Sequence, residues 1–155
     1  MEPTGYTLNG KRKNAMSSKP TVLFVCTHNS SRSQMAEGLL RHFFGDHYEV
    51  YSAGTEPGGV SPFAILAMDE IGVDIRSQTS KDVHKFLSMN LDTVVTVCDS
   101  AREACPFVPA KSNIHRRFED PRATGGSDAE KLEAFRRVRQ QIHLWIDQYF
   151  QPHPS

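Results

Sequence analysis

The sequence predicts an α/β protein with a small doubly wound sheet of about four parallel strands flanked by helices. Strand-like segments alternate along the chain with segments whose apolar residues recur at helical spacing, an order typical of parallel strands joined by right-handed crossovers. The first such segment, 21–25 (TVLFV), is almost entirely apolar, as expected for a strand buried on both faces. Ligands bind beyond the carboxyl ends of such strands, so the residues that follow each strand are the candidate site residues.

The first half of the chain is predicted to supply two strands and two helices. A helix is expected over 31–44, with Gly45 ending it, and the second strand over 48–52. After a loop rich in glycine and proline, Ser61 is the N-cap of a helix that continues to residue 72. The apolar stripe of the first helix is Met35, Leu39, Leu40 and Phe43.

The second half is predicted to supply two more strands and a long final helix. Ser80 is expected to cap a short helix, and strands are expected over 92–97 and 113–118. Ser127 and Glu130 form a capping box at the start of the last helix. The inward residues of the short helix are Val83, Phe86 and Leu87, and the core residues of the last helix are Leu132, Phe135, Val138, Ile142, Trp145, Ile146 and Tyr149.

Composition limits the function classes. The chain has 155 residues and a formal net charge of zero, so we expect one globular domain over 21–151 and a monomer that binds neither nucleic acid nor membranes. Residues 1–20 are polar, lack the apolar centre of a secretory signal, and are predicted to be a disordered extension. The three cysteines are then expected in a reducing compartment, the cytoplasm, where thiols are usually catalytic, metal-binding or buried.

One loop carries the chemistry. Cys26 follows the first strand, and Arg32, after five intervening residues, begins the first helix. A loop in this position turns backbone N–H groups toward an anion at a helix N-terminus, and the arginine adds a planar fork of donors for a tetrahedral oxyanion. The same positive field favours the thiolate of the cysteine, which is the nucleophilic form. The predicted oxyanion-binding residues are Thr27, His28, Asn29, Ser30, Ser31, Arg32 and Ser33.

Within this loop, Ser33 is expected to donate a hydrogen bond to the Cys26 sulfur, and Asn29 to hold the loop closed. Asp120 follows the fourth predicted strand and would lie on the same side of the sheet, where a carboxylic acid can protonate a leaving oxygen. The structural alternatives are a buried Cys26 with an exposed Arg32, and an Asp-Pro pair that only makes a turn.

A second feature lies at the end of the third predicted strand. Cys98 stands there, hence near Cys26, and Cys105 follows after six residues. The two thiols can form a disulfide if the short helix or loop between them partly unwinds, because their Cα atoms must come within about 7 Å. The alternative is two buried apolar thiols. A zinc site is disfavoured because His84 and His115 show no ligand spacing relative to the cysteines.

Residues 22–38 (VLFVCTHNSSRSQMAEG) resemble the opening of the low-molecular-weight tyrosine phosphatase superfamily. The resemblance extends through residues 51–54, the strand before Cys98, and Asp120-Pro121, and it implies a flavodoxin-like sheet. The pair Cys98 and Cys105 resembles that of the thioredoxin-coupled arsenate reductases within the superfamily. The phosphatases often carry tyrosines just after the Asp-Pro, whereas residues 122–124 are Arg-Ala-Thr here.

This resemblance implies a three-cysteine relay that reduces arsenate to arsenite, with no bound cofactor and with thioredoxin as electron donor. Cys26 attacks arsenic while Asp120 protonates the departing oxygen. Cys98 then attacks Cys26, and Cys105 attacks Cys98 to leave a disulfide for thioredoxin to reduce. Some relatives also bind a monovalent cation, through positions that match Asn29, Glu37, Ser52 and a carboxylate after a Thr-Ser pair. Lys81 follows Thr79-Ser80 here, so we expect no potassium site or other bound metal.

Three functions therefore stay open on the sequence alone. The first is arsenate reduction. The second is hydrolysis of phosphomonoesters by a tyrosine phosphatase, which would use only Cys26, Arg32 and Asp120. The third is a non-catalytic module that binds anions or senses redox state.

Overall fold

The computed structural model describes residues 19–104 and 108–151. Within these residues the strands are β1 (Thr21–Cys26), β2 (Glu49–Gly54), β3 (Leu91–Thr96) and β4 (Ala110–His115). The helices are α1 (Arg32–Phe44), α2 (Pro62–Asp69), α3 (Asp99–Ala104) and α4 (Asp128–Tyr149). Short 3₁₀ turns occupy Val83–Phe86 and Pro121–Ala123. The predicted extension, apart from residues 19 and 20, and Cys105 lie outside the described residues.

The strands form one four-stranded sheet in the order β2-β1-β3-β4, and every neighbouring pair is parallel. The predicted fold class is therefore confirmed. The register aligns the carboxyl ends of the strands: Cys26 pairs with Gly54, Val25 with Thr96, and Thr96 with His115. One edge of the sheet thus brings together the loops that follow all four strands.

Helices cover the sheet and bury its apolar residues in one continuous core. Ser61 caps α2 by accepting the Phe63 N–H at 3.2 Å. Ser127 caps α4 through the predicted capping box with Glu130. Arg139 of α4 is buried and donates to the carbonyl of Ala67 at 2.7 Å, which joins α4 to α2. Among the described residues, no helix is both long and apolar enough to cross a membrane.

Two predicted elements differ from the structure. The segment after Ser80 makes only a 3₁₀ turn, because β3 begins a few residues later and leaves no room for a longer helix. Asp82 caps this turn by accepting the His84 N–H at 2.9 Å, whereas Ser80 donates to the carbonyl of His28 at 2.9 Å. Strand β4 lies three residues earlier than predicted. It is an edge strand whose residues 111–113 are exposed and polar, so the apolar pattern of the sequence does not reveal where the strand begins.

One predicted core position, Tyr149, is wrong, and two other apolar residues, Phe43 and Leu87, are not fully buried. Phe43 is 43% exposed and stacks on His143 of α4 with ring centroids 4.6 Å apart. Tyr149 is 51% exposed and stacks on Trp145 at 5.1 Å, whereas the neighbouring Phe150 is buried against Phe24 of β1. Leu87 is only partly buried at the end of its turn.

Candidate active site

The loop between β1 and α1 lies at the carboxyl edge of the sheet, beside a cavity of about 400 Å³. Every predicted oxyanion-binding residue lies in this loop or in the first turn of α1. Cys26 itself is 3% exposed and does not line the cavity. The residues that line it are Thr27, His28, Arg32, Cys98, Asp99, Ser100, Arg117, Asp120 and Arg122.

The backbone of the loop is held by its carbonyl groups. The carbonyls of Cys26, Thr27, His28 and Ser30 accept hydrogen bonds of 2.7–3.3 Å from N–H groups of residues 55–61. By contrast, the N–H groups of residues 28–31 have no hydrogen-bond partner within the described ranges. The loop thus turns its acceptors to the protein and keeps its donors for another group, which is the arrangement of an anion cradle.

Two side-chain atoms in the loop are also without partners. The Oγ of Ser31 and the Nε of Arg32 are buried and make no hydrogen bond to any described residue. Ser31 is the N-cap of α1, yet its side chain accepts nothing from the first helical turn. Buried polar groups are normally paired, so these orphaned groups indicate that the loop is built to receive a polar ligand.

A close contact with β2 shapes the loop. A Cβ atom at Gly54 would lie 2.7 Å from the Thr27 carbonyl oxygen and 2.9 Å from the Asn29 nitrogen, distances too short for a side chain. Asn29 adopts a positive φ of 51°, which asparagine tolerates better than most residues. The loop therefore depends on the absence of a side chain at Gly54 and on the conformation of Asn29.

A chain of hydrogen bonds surrounds the Cys26 thiol. Ser33 Oγ lies 2.8 Å from the Cys26 sulfur and accepts a 2.8 Å hydrogen bond from the Asn29 amide. Since Asn29 donates to it, the Ser33 hydroxyl proton is left for the sulfur. The same amide donates to Ser52 Oγ at 2.9 Å, and Ser52 donates to the buried carboxylate of Glu37. This chain holds the Ser33 hydroxyl toward Cys26.

Lys81 completes this network where some relatives hold a cation. Its ammonium lies 3.7 Å from Glu37 Oε1, and Arg41 donates to the other oxygen of that carboxylate at 2.5 Å. Burial lowers the pKa of Lys81, and the neighbouring Glu37 opposes this effect. The carboxylate already has two cationic partners, so these residues do not fit a potassium ion. In the described chain no three His, Cys, Asp or Glu side chains gather as a metal site.

Arg32 connects the loop to the end of the sheet. Its NH1 donates to the carbonyl of Phe118 at 3.0 Å, and its NH2 lies 3.7 Å from Asp120 Oδ2. With the side chain 12% exposed, these contacts fix the guanidinium at the cavity wall while its Nε stays unpaired. The fork can therefore offer further donors to an anion without moving.

Asp120 lines the cavity and caps the turn Pro121–Ala123. Partial burial acts to raise the pKa of this carboxyl, but the Arg122 N–H, which donates at 2.9 Å, and the nearby guanidiniums of Arg32 and Arg122 lower it overall. The free protein thus holds Asp120 ionised at neutral pH. A proton that Asp120 donates must first be delivered to it with the incoming oxyanion.

Cys98 lies two residues after the end of β3 and is 5% exposed. Its sulfur lies 3.4 Å from the Thr27 hydroxyl of the cradle and accepts the Ala101 N–H of α3 at 3.4 Å. The Val97 N–H donates to the Val25 carbonyl at 2.9 Å, which fixes the two strand ends side by side. The structure thus places Cys98 next to the loop that contains Cys26.

His28 lines the cavity, but its ring is engaged elsewhere, because Nδ1 donates to the carbonyl of Glu56 at 3.0 Å. The sequence interpretation missed four cavity residues: Asp99, Ser100, Arg117 and Arg122. It considered His115 only as a possible zinc ligand and gave it no other role, although His115 ends β4. The rule that sites form at the carboxyl ends of strands would have marked His115 and Arg117 had β4 been placed correctly.

Comparison with known proteins places the chain in a family. A family model described as low molecular weight phosphotyrosine protein phosphatase matches residues 21–152. An arsenate reductase of Halalkalibacterium halodurans is 48% identical over 125 residues, which are 80% of this chain and 90% of that protein. A solved structure of an arsenate reductase in its oxidized state matches with a TM-score of 0.72 and 34% identity, over 83% of this chain and 94% of that chain.

A thioredoxin-dependent arsenate reductase of Corynebacterium glutamicum matches with a TM-score of 0.61 and 30% identity, over 88% of this chain and 65% of that chain. The family model covers nearly all of the described residues, and its match begins at β1. The chain therefore belongs to the low molecular weight phosphotyrosine protein phosphatase family.

Proposed function

We propose that this protein reduces arsenate to arsenite in the cytoplasm by a relay of Cys26, Cys98 and Cys105, with thioredoxin as the electron donor. The observation that carries the proposal is the second buried thiol, Cys98, whose sulfur touches Thr27 of the anion cradle. A phosphatase needs one nucleophilic thiol, whereas a thiol reductase must pass two electrons to its substrate and form a disulfide. The relatives named as arsenate reductases support the same substrate.

The cradle fits a small tetrahedral oxyanion. Its free N–H groups, the unpaired Nε of Arg32 and the unpaired Oγ of Ser31 are donors available to an anion in the loop that follows the buried thiol. The cavity lining that the structure describes is polar or charged except for Cys98, and it contains no Phe, Tyr or Trp to pack against an aryl ring. This lining favours an inorganic oxyanion over a phosphotyrosine side chain.

The first step forms a bond between Cys26 and arsenic. The Cys26 thiolate, oriented by Ser33, attacks arsenic(V), and one arsenate oxygen leaves as water after protonation. Asp120 is the proton donor. Because the free carboxyl is ionised, it first takes up the proton that the arsenate monoanion brings into the cavity and then passes it to the departing oxygen.

The next steps move the electrons. The Cys98 thiolate attacks the Cys26 sulfur, a sulfur–sulfur bond forms, the sulfur–arsenic bond breaks, and its electron pair stays on arsenic, which leaves as arsenite. The Cys105 thiolate then attacks Cys98 and releases Cys26 as a thiolate. Thioredoxin reduces the Cys98–Cys105 disulfide by exchange of its own two thiols. Cys105 lies outside the described residues, so its part rests on its position in the sequence.

The test is arsenate-dependent NADPH oxidation with thioredoxin and thioredoxin reductase, compared with a reaction that lacks thioredoxin. Wild type is expected to turn over repeatedly only when thioredoxin is present. Cys105→Ser should release one arsenite per protein and then stop. Ser112→Ala, a small change at an exposed position of β4 outside the cavity, is the control and should keep repeated turnover.

Two outcomes would contradict the proposal. Hydrolysis of an aryl phosphate without any arsenite production would assign the protein to the phosphatases and leave Cys98 and Cys105 without a role. Phosphate binding with neither reaction would leave a non-catalytic anion-binding module. Weak phosphatase activity beside arsenite production agrees with the proposal, because a cradle for arsenate also binds phosphate.

A further inference from the structure

Cys98 lies between two residues that contact one imidazole. Thr96, the last residue of β3, has its Oγ 2.8 Å from His115 Nδ1. Asp99, the first residue of α3, has its Oδ1 2.9 Å from His115 Nε2. His115 ends the neighbouring strand β4 and pairs in register with Thr96. The chain is therefore tied to β4 both before and after the thiol.

The hydrogen bonds of the imidazole have a defined direction. An ionised carboxylate only accepts, so Nε2 carries a proton and donates to Asp99. Nδ1 then accepts from the Thr96 hydroxyl when the ring is neutral. Arg117 reinforces the carboxylate with its Nε 3.2 Å from Asp99 Oδ2. The hydrogen bond from His115 and the charge of Arg117 lower the pKa of Asp99, so the carboxylate stays ionised as this geometry requires.

We infer that the Thr96–His115–Asp99 bridge positions Cys98 for its attack on the Cys26 sulfur, which makes His115 a positioning residue of the reaction. This inference rests on the proposed function. In the step concerned, a sulfur–sulfur bond forms between Cys98 and Cys26, the sulfur–arsenic bond breaks, and arsenic keeps the electron pair. Such an attack needs the two sulfurs within about 3.5 Å and in line with the leaving arsenic. Cys98 joins a strand to a helix, and the bridge fixes both ends of that junction.

Two of the three bridge residues lie away from the anion cavity, whereas Asp99 lines it. Thr96 and His115 do not line the cavity, and neither contacts the loop that contains Cys26 through any hydrogen bond in the described chain. His115 is 22% exposed and Asp99 is 61% exposed, so solvent weakens the charged contact. Exposed contacts of this type change a rate or equilibrium constant by up to about fivefold.

The test measures one turnover in a Cys105→Ser background, where the reaction stops at the Cys26–Cys98 disulfide. His115→Leu removes both hydrogen bonds and is expected to slow arsenite release about fivefold, while the affinity for inorganic phosphate stays within about twofold. Thr96→Val removes the hydrogen bond to the His115 ring and a longer one, of 3.5 Å, to the Ile114 carbonyl, with almost no change in shape, and should slow release about threefold. Thr93→Val, a matched change at the middle of β3, should have no effect.

The effects should also be non-additive, because Thr96 and Asp99 act through the same ring. Thr96→Val combined with His115→Leu is expected to be no slower than His115→Leu alone. The inference is overturned if Thr96→Val and His115→Leu both release arsenite at the parent rate, or if they weaken phosphate binding as much as they slow release. If the Cys105→Ser parent releases no arsenite at all, the proposed function itself fails, and the two failures are thereby distinguished.

Discussion

Replacement of Asp120 by asparagine should have opposite effects on binding and on turnover. In the free protein this carboxylate lies 3.7 Å from Arg32 and beside the cavity, and it is ionised because its pKa is lowered. It therefore repels an incoming anion and occupies part of the Arg32 fork. Asp120→Asn removes that charge while it keeps nearly the same shape and the acceptor for the Arg122 N–H.

The charge and the role of Asp120 set the expected size of the effects on binding and on turnover. Two like charges a few ångströms apart at a solvated cavity repel by on the order of 1 kcal/mol, so phosphate should bind about fivefold more tightly to Asp120→Asn at pH near 8. Loss of a positioned proton donor slows a reaction by roughly 10²- to 10⁴-fold, so single-turnover release of arsenite should fall by that factor. Isothermal titration with phosphate and rapid-quench measurement of arsenite give the two numbers.

A pH profile supplies a further check on the same reasoning. The free carboxyl is ionised at neutral pH, so the proton has to arrive on the arsenate monoanion. In wild type, kcat/KM should therefore fall as pH rises through the second ionisation of arsenate. Weaker phosphate binding by Asp120→Asn, or a single-turnover rate within threefold of wild type, would refute the role assigned to Asp120.

Three further substitutions test interactions that stabilise the folded protein. Glu37→Ala should lower the free energy of unfolding in urea by about 3 kcal/mol, because it leaves a buried cationic network without its carboxylate, whereas the exposed Glu133→Ala should change it by less than about 0.5 kcal/mol. Burial and Glu49 raise the pKa of Tyr51 to about 12. The unfolded chain should lose this proton from about pH 10 upward while the folded chain keeps it, so stability should decline there, and Tyr51→Phe should flatten that decline. Ser127→Ala should cost about 1 kcal/mol by loss of the capping box, measured by the same unfolding curves, and no change would mean that α4 begins elsewhere.

The sheet was predictable because parallel strands carry a strong apolar signal. Residues 21–25 read correctly as a buried central strand, and the alternation of elements gave the parallel sheet. Strand β4 was predicted three residues too late, because an edge strand needs few apolar residues and its polar residues 111–113 resemble a loop. Tyr149 was placed in the core because helical spacing gives only the approximate direction of a side chain, and the buried position at this end of α4 is taken by Phe150.

The site was only partly predictable for a related reason. Cys26 lies at the end of β1 and Cys98 just after the end of the adjacent strand β3. This placement follows from the sheet topology, which could be predicted from the sequence. The bridge through His115 depends on the register between β3 and β4. It could not be predicted, because the sequence pattern placed β4 at the wrong residues. The sequence showed a lysine, Lys81, in place of the expected cation-binding carboxylate, but the contacts of Glu37 with Lys81, Arg41 and Ser52 arise only in three dimensions.

The absence of a side chain at Gly54 limits how the anion-binding loop could be transferred to another protein. The Cys26 loop looks self-contained in sequence, and a designer who wished to move it would copy residues 26–33 onto another strand and helix. The Thr27 carbonyl and Asn29 nitrogen would then meet whatever residue ends the neighbouring strand, and any Cβ there lies within 3 Å of both. A working graft has to carry the glycine of the adjacent strand as well, so the smallest transferable unit is a pair of strands rather than a loop.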